Sequence, residues 1–154
     1  MSELDEFDAD LDSQLAAEPD TIVVDVLVNG KLRKLQFTEM DGLAWADLTD
    51  RCPPRIDAPL DKAYGFNIRL IVAHAAPTSG RMKSGDGWVE LSEAQWTKLL
   101  RGQKGAAIRT IGDALFQLNQ WAPDQAVEAA RKALAAESAK NSSSPDNSAY
   151  PEVD

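Results

Sequence analysis

Between Thr21 and Phe37 the chain alternates apolar and polar residues in two runs, "TIVVDVLV" and "KLRKLQF", separated by Asn29-Gly30. Alternation with a period of two marks half-buried strands, and Asn-Gly tolerates the positive φ angles of a two-residue hairpin turn. A β-hairpin is therefore predicted, with Val24, Val26 and Val28 on one face together with Leu32 or Lys31, depending on register. The next run, "MDGLAWADLTDRCPPR", changes to helical spacing. Asp41 is placed to cap its first turn; Ala44, Trp45, Leu48 and Cys52 share one arc, with Asp47 and Asp50 opposite. Pro53-Pro54 ends it, because neither residue has an N–H to continue the ladder.

"LDKAYGFNIRLIVAHAAP" carries two patterns at once. Tyr64, Ile68, Ile71 and Ala75 suit a helix face, whereas Phe66, Ile68, Leu70 and Val72 alternate as a strand would. Length and alanine content favour a helix, with Pro77 as its stop. "TSGRMKSGDG" then reads as a flexible basic loop, and "WVEL" as a short strand beginning at Trp88. In "LSEAQWTKLLRG", Ser92 and Gln95 have capping-box spacing, and Leu91 with Trp96 has that of a hydrophobic staple. Such a cap contributes about 1 kcal/mol, and burial of a residue as large as Trp96 about 2–3 kcal/mol. A helix is predicted from about Lys104 to Trp121 with the stripe Ile108, Ile111, Leu115 and Leu118. Pro123 opens a last helix, with Val127, Ala130 and Leu134 facing inward and Glu128–Lys132 as an i,i+4 ion pair.

These elements predict an α+β fold, an N-terminal β-hairpin with a small sheet packed against a mainly helical body. The expected organisation is a disordered acidic leader (1–20), one α+β domain (21–138) and a disordered polar tail (139–154). No internal repeat is present.

Charge sharpens the reading of the ends. The formal net charge is −9, yet the first 20 residues hold eight acids and no base. The segment 141–154 holds Asp146, Glu152 and Asp154, again without a base, so all 16 bases lie in a nearly neutral middle. Clustered like charges oppose folding of the leader alone and disfavour nucleic acid as a partner. Within it, however, Leu4, Phe7, Leu11 and Leu15 recur at spacings of three, four and four. The leader is either a solubilising tail or a segment that folds against a partner's apolar groove, these four residues forming the contact.

Candidate chemistry is sparse. One cysteine excludes an intrachain disulfide framework and a multi-cysteine metal cage. Neither a secretory signal nor an apolar run of membrane-spanning length is present. His74, the single histidine, lies in an apolar run and reads as a satisfied core residue rather than a general base. Cys52 reads as a small hydrophobe. Neither Gly30-Lys31 nor Gly80-Arg81 has P-loop spacing, "SGDGW" lacks the further acids of a calcium loop, and "GRMKSGDG" is a weak basic patch. The pair Asp47 and Asp50 is the remaining metal candidate, and solvated carboxylates on a helix face are its plainer reading. The expectation is a non-enzymatic protein without cofactor or metal.

The ordered series "VDVLVNGKLRKLQF", "MDGLAWADLTDRCPPR", "YGFNIRLIVAHAAPTSG", "WVELSEAQWTKLL" and "AIRTIGDALFQLNQWAPDQAVEAARKAL" resembles the tail assembly chaperones of long-tailed, siphovirus-type actinobacterial phages. The resemblance covers Thr21 to Leu134 and rests on packing patterns, not catalytic signatures. It implies a late viral protein of the host cytoplasm, absent from the mature virion, which binds the tape measure protein and helps recruit tail tube protein, with self-association possible. It further implies the shorter of two products of one gene, the longer made by ribosomal frameshifting; Ala139-Lys140-Asn141 is compatible with a slippery A-AAA-AAC heptamer. The alternative within the same setting is a structural tail or neck (tail-completion) protein.

Overall fold

The computed structural model describes residues 2–142 and has the expected α+β architecture. The chain separates into two compact units, one running to Asn119 and the other starting at Gln120.

The first unit contains α1 (Glu3–Ala16), β1 (Thr21–Val28), β2 (Lys31–Thr38), α2 (Gly42–Arg51), α3 (Pro59–Tyr64), α4 (Ile68–Ser79), β3 (Gly80–Ser84), β4 (Gly87–Val89), α5 (Glu93–Gly102) and α6 (Gly105–Phe116). Its sheet is antiparallel throughout, in the order β1-β2-β3-β4. Asn29 (φ 51°) and Gly30 (φ 74°) form the predicted turn. Lys31, not Leu32, lies opposite Val28, so Val24 pairs with Leu35 and Ile22 with Phe37. Directly opposed residues share a face. Val24, Val26, Leu35 and Phe37 therefore line the buried face, while Leu27 and Leu32 oppose each other on the outer one.

Helix α4 is the centre of the packing, touching α2, α3, α5, α6 and strands β2 and β3. Asn67 caps it by accepting from the Leu70 N–H at 3.2 Å, and Ile71, Val72, Ala75 and Ala76 are buried along it. The ambiguous segment is thus helical but in two pieces, α3 and α4, parted at Gly65 (φ 84°), so that Tyr64 does not share a helix with Ile68, Ile71 and Ala75. Pro77, expected to stop the helix, instead sits inside the last turn of α4. The carbonyl left without its helix donor is that of Ala73, an exposed residue; beyond it the turn closes with Thr78 Oγ1 donating to His74 O (3.0 Å), Ser79 Oγ to Ala75 O (2.9 Å) and the Gly80 N–H to Ala76 O.

The supposed basic loop is largely the β3–β4 hairpin. Its strand character comes from pairing, Met82 against both Leu35 and Val89, and so is not written in its own composition. Two glycines permit close contacts: a Cβ on Gly80 would stand 2.6 Å from the Trp96 ring, and one on Gly112 2.4 Å from Ile68 Cγ1. The capping box on α5 is present, with the Gln95 N–H donating to Ser92 Oγ (3.1 Å) and the Ser92 N–H to Gln95 Oε1 (2.8 Å). On α2, Trp45 and Leu48 are buried as expected and Asp47 and Asp50 exposed, but Ala44 is exposed too.

After α6 the helix widens into a π segment, Gln117–Trp121. Within it Asn119 Oδ1 accepts from the Met40 N–H at 2.7 Å while its Nδ2 donates to Leu115 O, tying the end of β2 to the helix.

The second unit contains α7 (Ala122–Ser142). Val127, Ala130 and Leu134, expected to face inward, are exposed. Glu128 pairs with Arg131 at 2.7 Å, one residue short of the expected Lys132. The helix also runs into the predicted polar tail; the remainder of that tail, 143–154, lies outside the described residues.

Candidate partner-binding surfaces

The leader, expected to lack structure by itself, is helical as α1. The local cause is a capping box that its aspartates conceal in the sequence: the Asp5 N–H donates to Ser2 Oγ (3.2 Å), and the Ser2 N–H donates to Asp5 Oδ2 (3.0 Å). The Ser2 hydroxyl also donates to Asp5 Oδ2 (2.7 Å), and these bonds hold the Asp5 carboxyl below its usual range. Glu3, Asp5 and Glu6 in the first turn complement the positive end of the helix dipole. The last turn carries no base, and no residue of the helix is buried. A helix this short is marginal without packing, so its stability awaits a covering surface.

The structure brings Leu4, Phe7, Leu11 and Leu15 onto one arc of α1, and all four are exposed, from 40 % (Leu11) to 86 % (Leu15). The arc is flanked by Asp8 and Asp12 on one side and by Glu3 and Asp10 on the other. The predicted contact residues thus form one continuous uncovered stripe.

Three further uncovered apolar surfaces escaped sequence reasoning. On the outer sheet face, the opposed pair Leu27 and Leu32 is each 62 % exposed, near half-exposed Val23. On α7, Val127 and Leu134 lie on the surface. The third is a groove of about 350 Å³ between the turn end of the hairpin and α5, lined by Val26, Val28, Leu35, Met82, Leu91 and Leu99. Arg33 and Lys98 stand at its rim, both exposed and neither in an ion pair among the described residues. Apolar residues out of phase with the buried alternation, such as Leu27 against Val24 and Val26, were the available signal for the outer face.

The candidate chemical residues are dispersed. His74 is exposed on α4 rather than buried in the core. It lines an open cleft of about 570 Å³ with Thr78, Glu93 and Thr97, but no hydrogen bond among the described residues joins its ring to them. Cys52 is buried at the end of α2, and burial pushes its thiol up, away from the reactive thiolate. Asp47 pairs with Arg51 at 3.3 Å. Among the described residues no three His, Cys, Asp or Glu side chains converge as a metal site would require, and no helix is long and apolar enough to cross a membrane.

Set beside known proteins, the chain matches no family model, no curated protein and no solved structure. The functional reading therefore rests on these surfaces and on the sequence pattern.

Proposed function

We propose that the protein is a non-enzymatic phage tail assembly chaperone that binds the tape measure protein and helps recruit tail tube subunits around it. The observation that carries this is α1, a helix with a continuous apolar stripe and no buried residue of its own. A long tape measure chain exposes apolar helical stripes until the tube encloses it, and such stripes self-associate. A binder covers them with an apolar helix face, while its carboxylates keep neighbouring complexes apart. The ordered resemblance over Thr21–Leu134 supports the same reading, including a shorter frameshift-gene product acting in the host cytoplasm.

The test combines two measurements. Co-expressed tape measure protein is expected to co-purify with the full chain and to be lost from the Phe7→Glu/Leu11→Glu double variant. Mass spectrometry of infected cells and purified particles is expected to find the chain, and a longer product sharing its N-terminal peptides, in cells only. Stoichiometric retention in particles would instead make it a structural tail or neck subunit.

A further inference from the structure

We propose that the free edge of β1 is the docking site for β1 of a second copy of this chain, the two strands pairing antiparallel about a two-fold axis at Val23 and joining two sheets into one. This goes beyond the tail-assembly reading, does not depend on it, and leaves the α1 stripe free.

Strand β1 lies at one edge of the sheet. It is eight residues long, pairs with β2 without a bulge and contains no proline, glycine or lysine. Edge strands are commonly blunted by such residues or kept very short, as the opposite edge is, β4 having three residues. The register says which backbone groups are open. The Asp20 carbonyl accepts from the Glu39 N–H (2.9 Å), and bonded pairs alternate along an antiparallel ladder. Ile22, Val24, Val26 and Val28 therefore spend their N–H and C=O groups on β2. Those of Thr21, Val23, Asp25 and Leu27 point away from it, and all four residues are exposed. Of these outward groups only the Leu27 carbonyl has a partner among the described residues, accepting from Gln103 Nε2 (3.0 Å).

The occupant has to be extended. The chain's own α1 cannot fill the edge, because the backbone groups of a helix are spent within it, and β4 is too short to span it. Strand β1 fits itself. Paired about Val23, the two edges set Val23 against Val23, Thr21 against Asp25 and Asp25 against Thr21, each pair exchanging backbone bonds. The one charge of the strand then meets a threonine and no like charge. On the inner face Ile22 falls opposite Val24. Leu27, whose carbonyl is already taken, falls opposite Pro19, which has no N–H to offer it. The two gaps in the edge thus coincide, a match that an unrelated extended segment would meet only by chance. An axis at Asp25 would oppose two carboxylates, and one at Val24 would make the Thr21 N–H compete with Gln103 for the Leu27 carbonyl.

Sedimentation velocity of the purified full chain over a concentration series, read together with amide hydrogen exchange, tests this. The native chain is expected to associate, the Val23 and Asp25 amides gaining protection as concentration rises while those of Val24 and Val26 are protected throughout. Val23→Lys and Val23→Glu are each expected to weaken association at least about tenfold, by setting like charges across the axis. The position is exposed and its backbone does not bond β2, so circular dichroism should show both variants folded. An equimolar mixture of the two should recover association, because opposite charges then meet at the axis. A native chain that stays monomeric at every concentration overturns the proposal, whether or not those amides are protected. So does association without protection at Val23 and Asp25, association that neither variant weakens, or a mixture that stays dissociated.

Discussion

The Arg55 guanidinium grips a carboxylate, Asp61, that has no exposed surface. Nε donates to Oδ2 at 2.7 Å, a terminal nitrogen donates to Oδ1 at 3.1 Å, and the Arg55 backbone N–H adds a third bond at 3.0 Å. The Ile68 N–H, at the start of α4, also reaches Oδ1 (3.4 Å). One buried acid thus fastens the loop after Pro53-Pro54, helix α3 and the central helix together. Arg55→Ala leaves that carboxylate without its countercharge. Its chemical-denaturation midpoint should fall well below that of Arg51→Ala, whose ion pair is fully on the surface.

The same pair sets the acid limit. The Arg55 bonds hold the Asp61 carboxyl at about 2, against an ordinary 3.8 and despite its burial. A depressed folded value means the contribution is complete above pH 3.8 and is lost as pH falls toward 2. Urea melts between pH 2 and 5 should show stability dropping over this window in the native chain. In Asp61→Asn the starting stability should be lower and this component of the slope missing.

Gly112 and Ile68 bring α6 and α4 into close contact. Alanine is the better helix former by about 1 kcal/mol, yet its Cβ would stand 2.4 Å from Ile68 Cγ1. Gly112→Ala should therefore destabilise by about 1–3 kcal/mol. Adding Ile68→Ala should cost less than the two separate effects predict, since the second change relieves the first. Additive losses in thermal melts would refute the contact.

Trp96 is 1 % exposed, and its Nε1–H finds no acceptor among the described residues. An unpaired buried donor costs free energy that phenylalanine would not incur. Trp96→Phe should accordingly lose less than about 2 kcal/mol, against about 3–5 kcal/mol for Trp96→Ala. Equal losses in guanidinium titrations would mean the indole nitrogen is satisfied after all.

On α7, Val127→Gln/Leu134→Gln should shift stability by less than about 0.5 kcal/mol, as expected for exposed positions. Ile111→Ala, at a fully buried position of α6, should lose about 2–5 kcal/mol. A large loss from the α7 pair would show that those side chains pack in the folded chain.

What the sequence made legible was local: the Asn29-Gly30 turn, the Asp41 cap, the Ser92/Gln95 box and the stripe of α6 each depend on residues within a few positions. What it hid was set at a distance. Strand β3 exists because Met82 meets Leu35, and Asp61 is buried because Arg55 folds back over it. Pro77 fits inside the last turn of α4, where the one carbonyl it deprives belongs to exposed Ala73. For the candidate surfaces, the leader's stripe was readable from spacing alone. The groove was not, since it needs the hairpin register and α5 placed together.

The core residues end at Leu118, and the first unit closes at Asn119. During translation, every side chain of that core is therefore synthesised before the first codon of α7 is read. Domains tend to fold as units in order of synthesis, so the main unit can pack as it leaves the ribosome without waiting on any side chain of α7. Changes of sequence downstream of α7 then alter what is appended without any rebuilding of what has already folded.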